Sequence, residues 1–410
     1  MKNTIKLFGN LSLFALLFQA CNQSTDFAPY KDDQVYSHFL IAADQTNSTL
    51  TPFGIRTKGA AGSLKVIPDS TVSAAGAYVV SATPDGKIIL SAGSRNSYGY
   101  IESFSINKST GRLTSVGQVQ VPRASTDLPT NLSFITIHPN SKYAYVTDGR
   151  SDAAGNFAPG KIHILKIEAS GAISHIGAET SNNLDWPMGI AIHPDGKYAY
   201  VSNYAPGRAV DNKISAYEID DETGALTELS FSPITATTTK SPRNLTISAS
   251  GEHLYVVDEY NDPTHISSFT IGADGSLTSQ GFVSPDSGTL GAAVAIDPDD
   301  RIGFFTNRTD NTLLSFPVNT GSTSLQISST IGSQGIQPVT VFAHPSLNYV
   351  YVGHQASGHI SAFSYNPTSG ALANLYADAS GEKNSPTGTP LVLPGVNAKS
   401  SFITIVTLPK

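Results

Sequence analysis

The 410-residue chain has one cysteine, one tryptophan and two methionines, and only 14% of its residues are charged. Each scarcity excludes something. The lone cysteine, Cys21, lies near the N-terminus, so the body of the chain can form no internal disulfide and must be held by packing alone. A formal net charge of −7, with no cluster of Lys and Arg, argues against a nucleic-acid partner, because a phosphate backbone must be met by concentrated positive charge. His138, His193 and His344 each precede a turn proline in separate segments, and no Cys-x-x-Cys-His is present. Neither a metal nor a haem or other cofactor is therefore expected. Glycine-containing segments lack the strand–glycine–helix context of a phosphate loop, and no amphipathic helix pattern of useful length appears. The apolar run from Leu7 to Phe18 is too short to span a bilayer comfortably.

That run has another reading. Lys2 and Lys6 precede it and Gln19-Ala20-Cys21 follows, which is the layout of a signal peptide over residues 1–20. A cysteine directly after the small residue Ala20 resembles the bacterial lipobox, although Phe18 stands where that pattern prefers Leu and Gln19 where it prefers a smaller residue. The resemblance implies cleavage before Cys21 and lipidation of its thiol. Asn22, rather than Asp, resembles lipoproteins sent to the outer membrane. An ordinary cleaved signal followed by an unrelated cysteine is the alternative. Loss of Lys2 and Lys6 would take the net charge from −7 to −9. Residues 21–35 have little to bury and read as a lipid anchor and tether. The expected location is the cell envelope, with the membrane touched only through the lipid.

Internal repetition dominates residues 36–410. Six segments align on a turn proline or its substitute: Pro84, Pro139, Pro194, Ala249, Pro298 and Pro345, at spacings of 55, 55, 55, 49 and 47. Each carries a short alternating apolar strand, then Pro-Asp-Gly-Lys or a relative, then a second strand such as Tyr198-Ala199-Tyr200-Val201. Proline presets one turn torsion and glycine accepts the next, so the pair reads as a β-hairpin. A third strand, a Thr-Gly-Ala-Leu type of turn and a weaker fourth strand complete a four-stranded unit. Two fragments remain, at residues 36–75 and at Ser401–Val406. Joined, they make a seventh unit and close a ring, which removes free sheet edges. The expectation is an all-β, seven-bladed β-propeller whose N- and C-terminal strands share one blade; six blades with a capping extension is the competing count.

In a propeller, the residue before the innermost strand and the residue after the second strand lie at the same mouth of the channel. The first ring reads Tyr78, Ser133, Met188, Arg243, Ala292 and Val339; the second reads Ser94, Gly149, Tyr204, Glu259, Arg308 and Gln355, with Asp44 expected in blade one. Arg243, Glu259, Arg308 and Gln355 come from consecutive blades and should converge. Two guanidiniums flanking a carboxylate could hold an anionic substrate and leave a base aimed at water. An ion-pair network that knits the blades together is the structural alternative. Trp186 and Tyr204 could supply a hydrophobic wall or a sugar-stacking surface near the mouth, or pack between blades.

Ser241-Pro242-Arg243, Val257-Asp258-Glu259, Thr306-Asn307-Arg308 and Gly353-His354-Gln355 resemble the corresponding motifs of propeller lactonases. That family includes bacterial 6-phosphogluconolactonases and fungal muconate-lactonizing enzymes, and the resemblance covers nearly all of residues 36–410. It implies hydrolysis of a small sugar or related lactone, with Glu259 as base, Arg243 and Arg308 as anion or oxyanion contacts, and Gln355, Tyr204 and Met188 as substrate-binding residues. One departure is Met188, where the family usually places a histidine. Export is a second, since 6-phosphogluconate is a cytoplasmic metabolite and an unphosphorylated lactone suits the envelope better. A non-catalytic propeller binding an envelope protein or glycan is the competing reading.

Overall fold

A computed structural model describes residues 36–407, apart from 37, 58–60, 123–129, 152–156, 181–183, 185, 205–212, 236–240, 260–263, 285–289, 319–325, 376–390 and 394–399. The expected signal peptide, Cys21 and the tether lie outside these residues. Every regular element among them is a strand, and the strands form seven antiparallel sheets. The protein is a seven-bladed β-propeller.

Blade one is built as the two end fragments suggested. Its inner strand is Ser400–Thr407, which pairs with His38–Asp44, and Thr49–Ile55 and Leu64–Val66 follow outward. Blades two to seven begin with Ala77–Ala82, Leu132–Ile137, Pro187–Ile192, Pro242–Ile247, Gly291–Ile296 and Pro338–Ala343. Each of these pairs with a second strand across the repeated turn.

The turn chemistry works as its residues require. In His193-Pro194-Asp195-Gly196, the Gly196 N–H donates to the His193 carbonyl at 2.8 Å, and Gly196 takes a φ of 83° that a side chain would resist. His193 and His138 do more than close their own turns. Nε2 of His138 bonds the Gly196 carbonyl at 2.9 Å, and Nε2 of His193 bonds that of Gly251 at 3.0 Å, so each ties its turn to the next blade's.

Packing lies between the blades. Strand alternation gives each sheet two apolar faces, so Phe39 and Ile41 pack toward blade two while Leu40 and Ala42 pack toward blade seven. A separate cluster of buried apolar side chains fills every one of the seven blade-to-blade junctions. Tyrosines of the second strands reach through these junctions. The hydroxyls of Tyr145, Tyr200 and Tyr351 donate to the carbonyls of Gly224, Gly275 and Gly62 at 3.0, 2.8 and 2.8 Å, each on the following blade. The Tyr351 bond crosses from blade seven to blade one and helps close the ring.

Candidate active site

The mouth where the innermost strands begin opens into a cavity of about 440 Å³. Tyr78, Ser133, Met188 and Arg243 of the first ring line it, with Ser94, Tyr204 and Gln355 of the second. Ala292 and Val339 are not on its wall, so the cavity leans away from blade six. Aromatic rings lead inward from Tyr78. Tyr78 meets Phe402 edge-on at 5.4 Å and Phe402 meets Phe134 at 5.6 Å, and the last two line a second cavity of about 380 Å³ between the inner strands beyond.

In blade one the ring position falls one residue later than expected. Gln45, not Asp44, lines the cavity. The pairing of His38–Asp44 with the C-terminal strand shifts register between Ala43 and Asp44. The Asp44 carboxylate turns back on its own loop, accepting from the Thr46 and Asn47 N–H groups at 3.0 and 3.2 Å and from Asn47 Nδ2 at 2.6 Å.

Arg243, Glu259 and Arg308 do come together. Glu259 follows the strand His253–Asp258 and is almost fully buried, its side chain 3% exposed. Arg243 Nη1 donates to its Oε2 at 2.9 Å, and Arg308 Nη1 donates to its Oε1 at 2.6 Å. Both carboxylate oxygens are therefore engaged, in a triad drawn from blades five and six. Of the three, Arg243 alone reaches the cavity wall. Burial works against its charge, yet the Glu259 carboxylate and the phenols of Tyr78 and Tyr204 hold its pKa above the ordinary guanidinium value. Among the described residues Arg308 Nε is buried without a hydrogen-bond partner, beside Glu259 and behind the cavity wall.

Backbone contacts fix these groups. The Glu259 N–H donates to the Ser241 carbonyl at 3.1 Å and the Arg308 N–H to that of Leu290 at 3.1 Å. Ser241 and Leu290 both take positive φ, 59° and 62°, at the entry to their inner strands. Gln355, whose N–H donates to the Gln337 carbonyl at 2.9 Å, is held in the same way. Ring positions on neighbouring strands are thus locked by one recurring bond.

Behind the ring lies a layer of buried polar side chains at the last residue of the second strand. Asn203 Nδ2 donates to Ser215 Oγ at 2.9 Å, and Asp258 Oδ2 accepts from Ser267 Oγ at 3.3 Å. Asp148 Oδ2 meets His163 Nε2 at 3.3 Å. Desolvation raises the Asp258 pKa well above the carboxylate range, outweighing the Ser267 bond. Its Oδ1 has no partner among the described residues.

Four cavity residues were not among the expected site positions: Gln45, Asn131, Leu132 and Trp186. Asn131 and Leu132 sit two residues and one residue before the expected Ser133, so the ring was read too narrowly there. Trp186 was visible as a candidate wall residue, but the backbone turn that places it was not.

The fold is a seven-bladed β-propeller, and part of the chain is similar in sequence to lactonases of that fold. Residues 211–387 match the family described as "Lactonase, 7-bladed beta-propeller". The 6-phosphogluconolactonase of Bacillus subtilis (strain 168) is 22% identical over 310 residues, covering 72% of this chain and 82% of that protein. Among solved structures, the periplasmic gluconolactonase of Pseudomonas aeruginosa superposes with a TM-score of 0.70 at 20% identity, over 91% of this chain and 99% of that one. A protein provisionally named 6-phosphogluconolactonase from Bacteroides uniformis gives 0.71 at 15% identity, over 90% and 100%. These structural likenesses establish the fold, and the Bacillus protein is a distant relative in sequence.

Proposed function

We propose that the protein hydrolyses a small sugar or related lactone at this mouth. The observation that carries the reading is the buried Arg243–Glu259–Arg308 triad with one arginine on the cavity wall. A triad that served only to knit blades together would have no need to present a guanidinium to a solvent-filled cavity. Arg243 binds the lactone carbonyl oxygen, and in doing so gives up its bond to Glu259 Oε2. The freed carboxylate oxygen takes a proton from water as that water adds to the lactone carbonyl. Arg243 stabilises the tetrahedral oxyanion, while Arg308, behind the wall, holds the other oxygen of Glu259 in place. Collapse breaks the ring C–O bond, and the departing alkoxide takes the proton back from Glu259, leaving the open hydroxy acid. Gln355 and Tyr204 orient the substrate, and Met188 supplies an apolar contact where the family's histidine usually stands.

Glu259→Gln should lower kcat by roughly 100-fold or more, the usual contribution of a positioned base. Arg243→Ala should raise KM and lower kcat together, because it serves both binding and the oxyanion. Steady-state kinetics of the two variants check this; a Glu259→Gln enzyme with wild-type kcat would remove the base. Met188 and the doubly bonded Glu259 favour the second reading, a non-catalytic propeller that captures an envelope protein or glycan at the same mouth.

The N-terminal sequence supports export and lipid attachment at Cys21, with the outer membrane as destination. Labelled palmitate should be incorporated by the wild type and not by Cys21→Ser. Equal labelling of both would overturn the anchor.

A further inference from the structure

The single tryptophan of the chain sits on the wall of the mouth cavity. Trp186 takes a φ of 53°, the left-handed conformation that Ser241, Leu290 and Gln337 also take at the entry to their inner strands, but here on the bulkiest of side chains. Its position is held from two sides. The Tyr204 N–H donates to the Trp186 carbonyl at 3.0 Å, and the Tyr204 ring meets the indole edge-on at 5.9 Å and 82°. The indole lies where position 149 would project a side chain: a Cβ on Gly149 would fall 2.0 Å from Trp186 Cδ1 and 2.3 Å from Nε1. Gly149 is the glycine of the second ring, where the other blades carry Ser94, Tyr204, Glu259, Arg308 and Gln355. Blade three thus leaves its own ring position empty, and the entry to blade four fills it with an indole.

The charge of the same cavity points to what that indole meets. Arg243 is the one cationic side chain on its described wall, and it is already paired with Glu259. A phosphate ester, with nearly two negative charges and three acceptor oxygens, is ordinarily met by several cationic or N–H donors. Trp186, Met188 and Leu132 instead offer apolar surface opposite amide and hydroxyl groups. An apolar surface facing a few placed hydrogen-bonding groups suits a sugar ring, whose C–H face can lie on an aromatic π-face while its hydroxyls find polar partners.

We propose that Trp186 is the specificity-determining platform of this cavity, stacking the C–H face of an unphosphorylated sugar lactone. The inference rests on the lactone reading above and adds the class of lactone and the residue that selects it.

The lone tryptophan serves as its own reporter. D-Glucono-1,5-lactam, in which an amide replaces the ring ester, is titrated into the folded protein. A saturable blue shift of tryptophan emission is expected, and the 6-phosphate of the lactam should bind about tenfold more weakly or worse. With D-glucono-1,5-lactone as substrate, Trp186→Ala should raise KM about tenfold while kcat changes by less than about threefold. Trp186→Phe should recover most of the lost KM, and Gly149→Ala should displace the indole, shifting the emission of the unliganded protein and raising KM. Equal lactam binding by wild type and Trp186→Ala in calorimetry would overturn the platform, as would tighter binding of the 6-phosphate. Turnover with a KM indifferent to Trp186 would overturn the platform and leave the hydrolase. Trp186-dependent lactam binding with no lactone turned over would keep the platform and overturn the hydrolase.

Discussion

Two carboxylates adjacent in sequence, Asp258 and Glu259, meet opposite fates. Glu259 has a guanidinium on each oxygen, so its charge is matched inside the fold. Asp258 has only the Ser267 hydroxyl, and burial pushes its pKa well up. A raised carboxyl pKa contributes stability that is fully present below the unfolded value and is lost as pH rises through the folded one. Asp258 therefore weakens the fold on going from acid toward neutral and alkaline pH. Asn203 holds the same slot in blade four and donates to Ser215, which makes asparagine the natural replacement. Asp258→Asn should stabilise the protein by roughly 1 kcal/mol at neutral pH, with a smaller gain near pH 4. Melting temperatures across pH check this; a gain that grows toward acid would contradict the assignment.

At the scale of strands, the repeated Tyr-x-Tyr-Val stretch, with Ala or Val at its second place, explains how blades stay in register around the ring. Its second tyrosine is buried and donates to a turn carbonyl of the next blade, as Tyr145, Tyr200 and Tyr351 show. Tyr351→Phe keeps the packing and deletes the bond to Gly62, leaving a buried acceptor. It should cost about 1–2 kcal/mol in denaturant unfolding. An unchanged midpoint would mean that the carbonyl finds another donor. These strands were legible in the sequence because a turn proline, or Ala249 in its place, and period-two alternation recur at the six aligned units, with glycine in three of the turns. The blade-one ring position was not. The register shift that puts Gln45 on the wall and turns Asp44 away lies in a pairing with the C-terminal strand, far off in sequence, and a local pattern does not carry it. Trp186 was legible as a candidate wall residue, but its seat was not, because that depends on a left-handed backbone and on the missing side chain of Gly149, in another blade.

On the scale of the whole molecule, seven blades packed by seven separate apolar clusters make a rigid ring in which no blade is complete without its neighbours. Ring closure by the terminal strands fixes the inner strands and, with them, the residues of the mouth. The convergence of Arg243, Glu259 and Arg308 was readable from ring positions because the repeat places equivalent residues at equivalent radii. Which ring members reach the cavity was not readable, because the cavity is off-centre and Glu259 and Arg308 lie behind its wall. The chemistry proposed for that mouth stands or falls on turnover. The most direct measurement is acid release from a panel of uncharged, acidic and phosphorylated lactones by the wild-type protein, beside Glu259→Gln and Arg243→Ala proteins shown to be folded. The account predicts hydrolysis of at least one lactone by the wild type, largely abolished in both variants. No release above background from any lactone, or release that both variants retain, would contradict it.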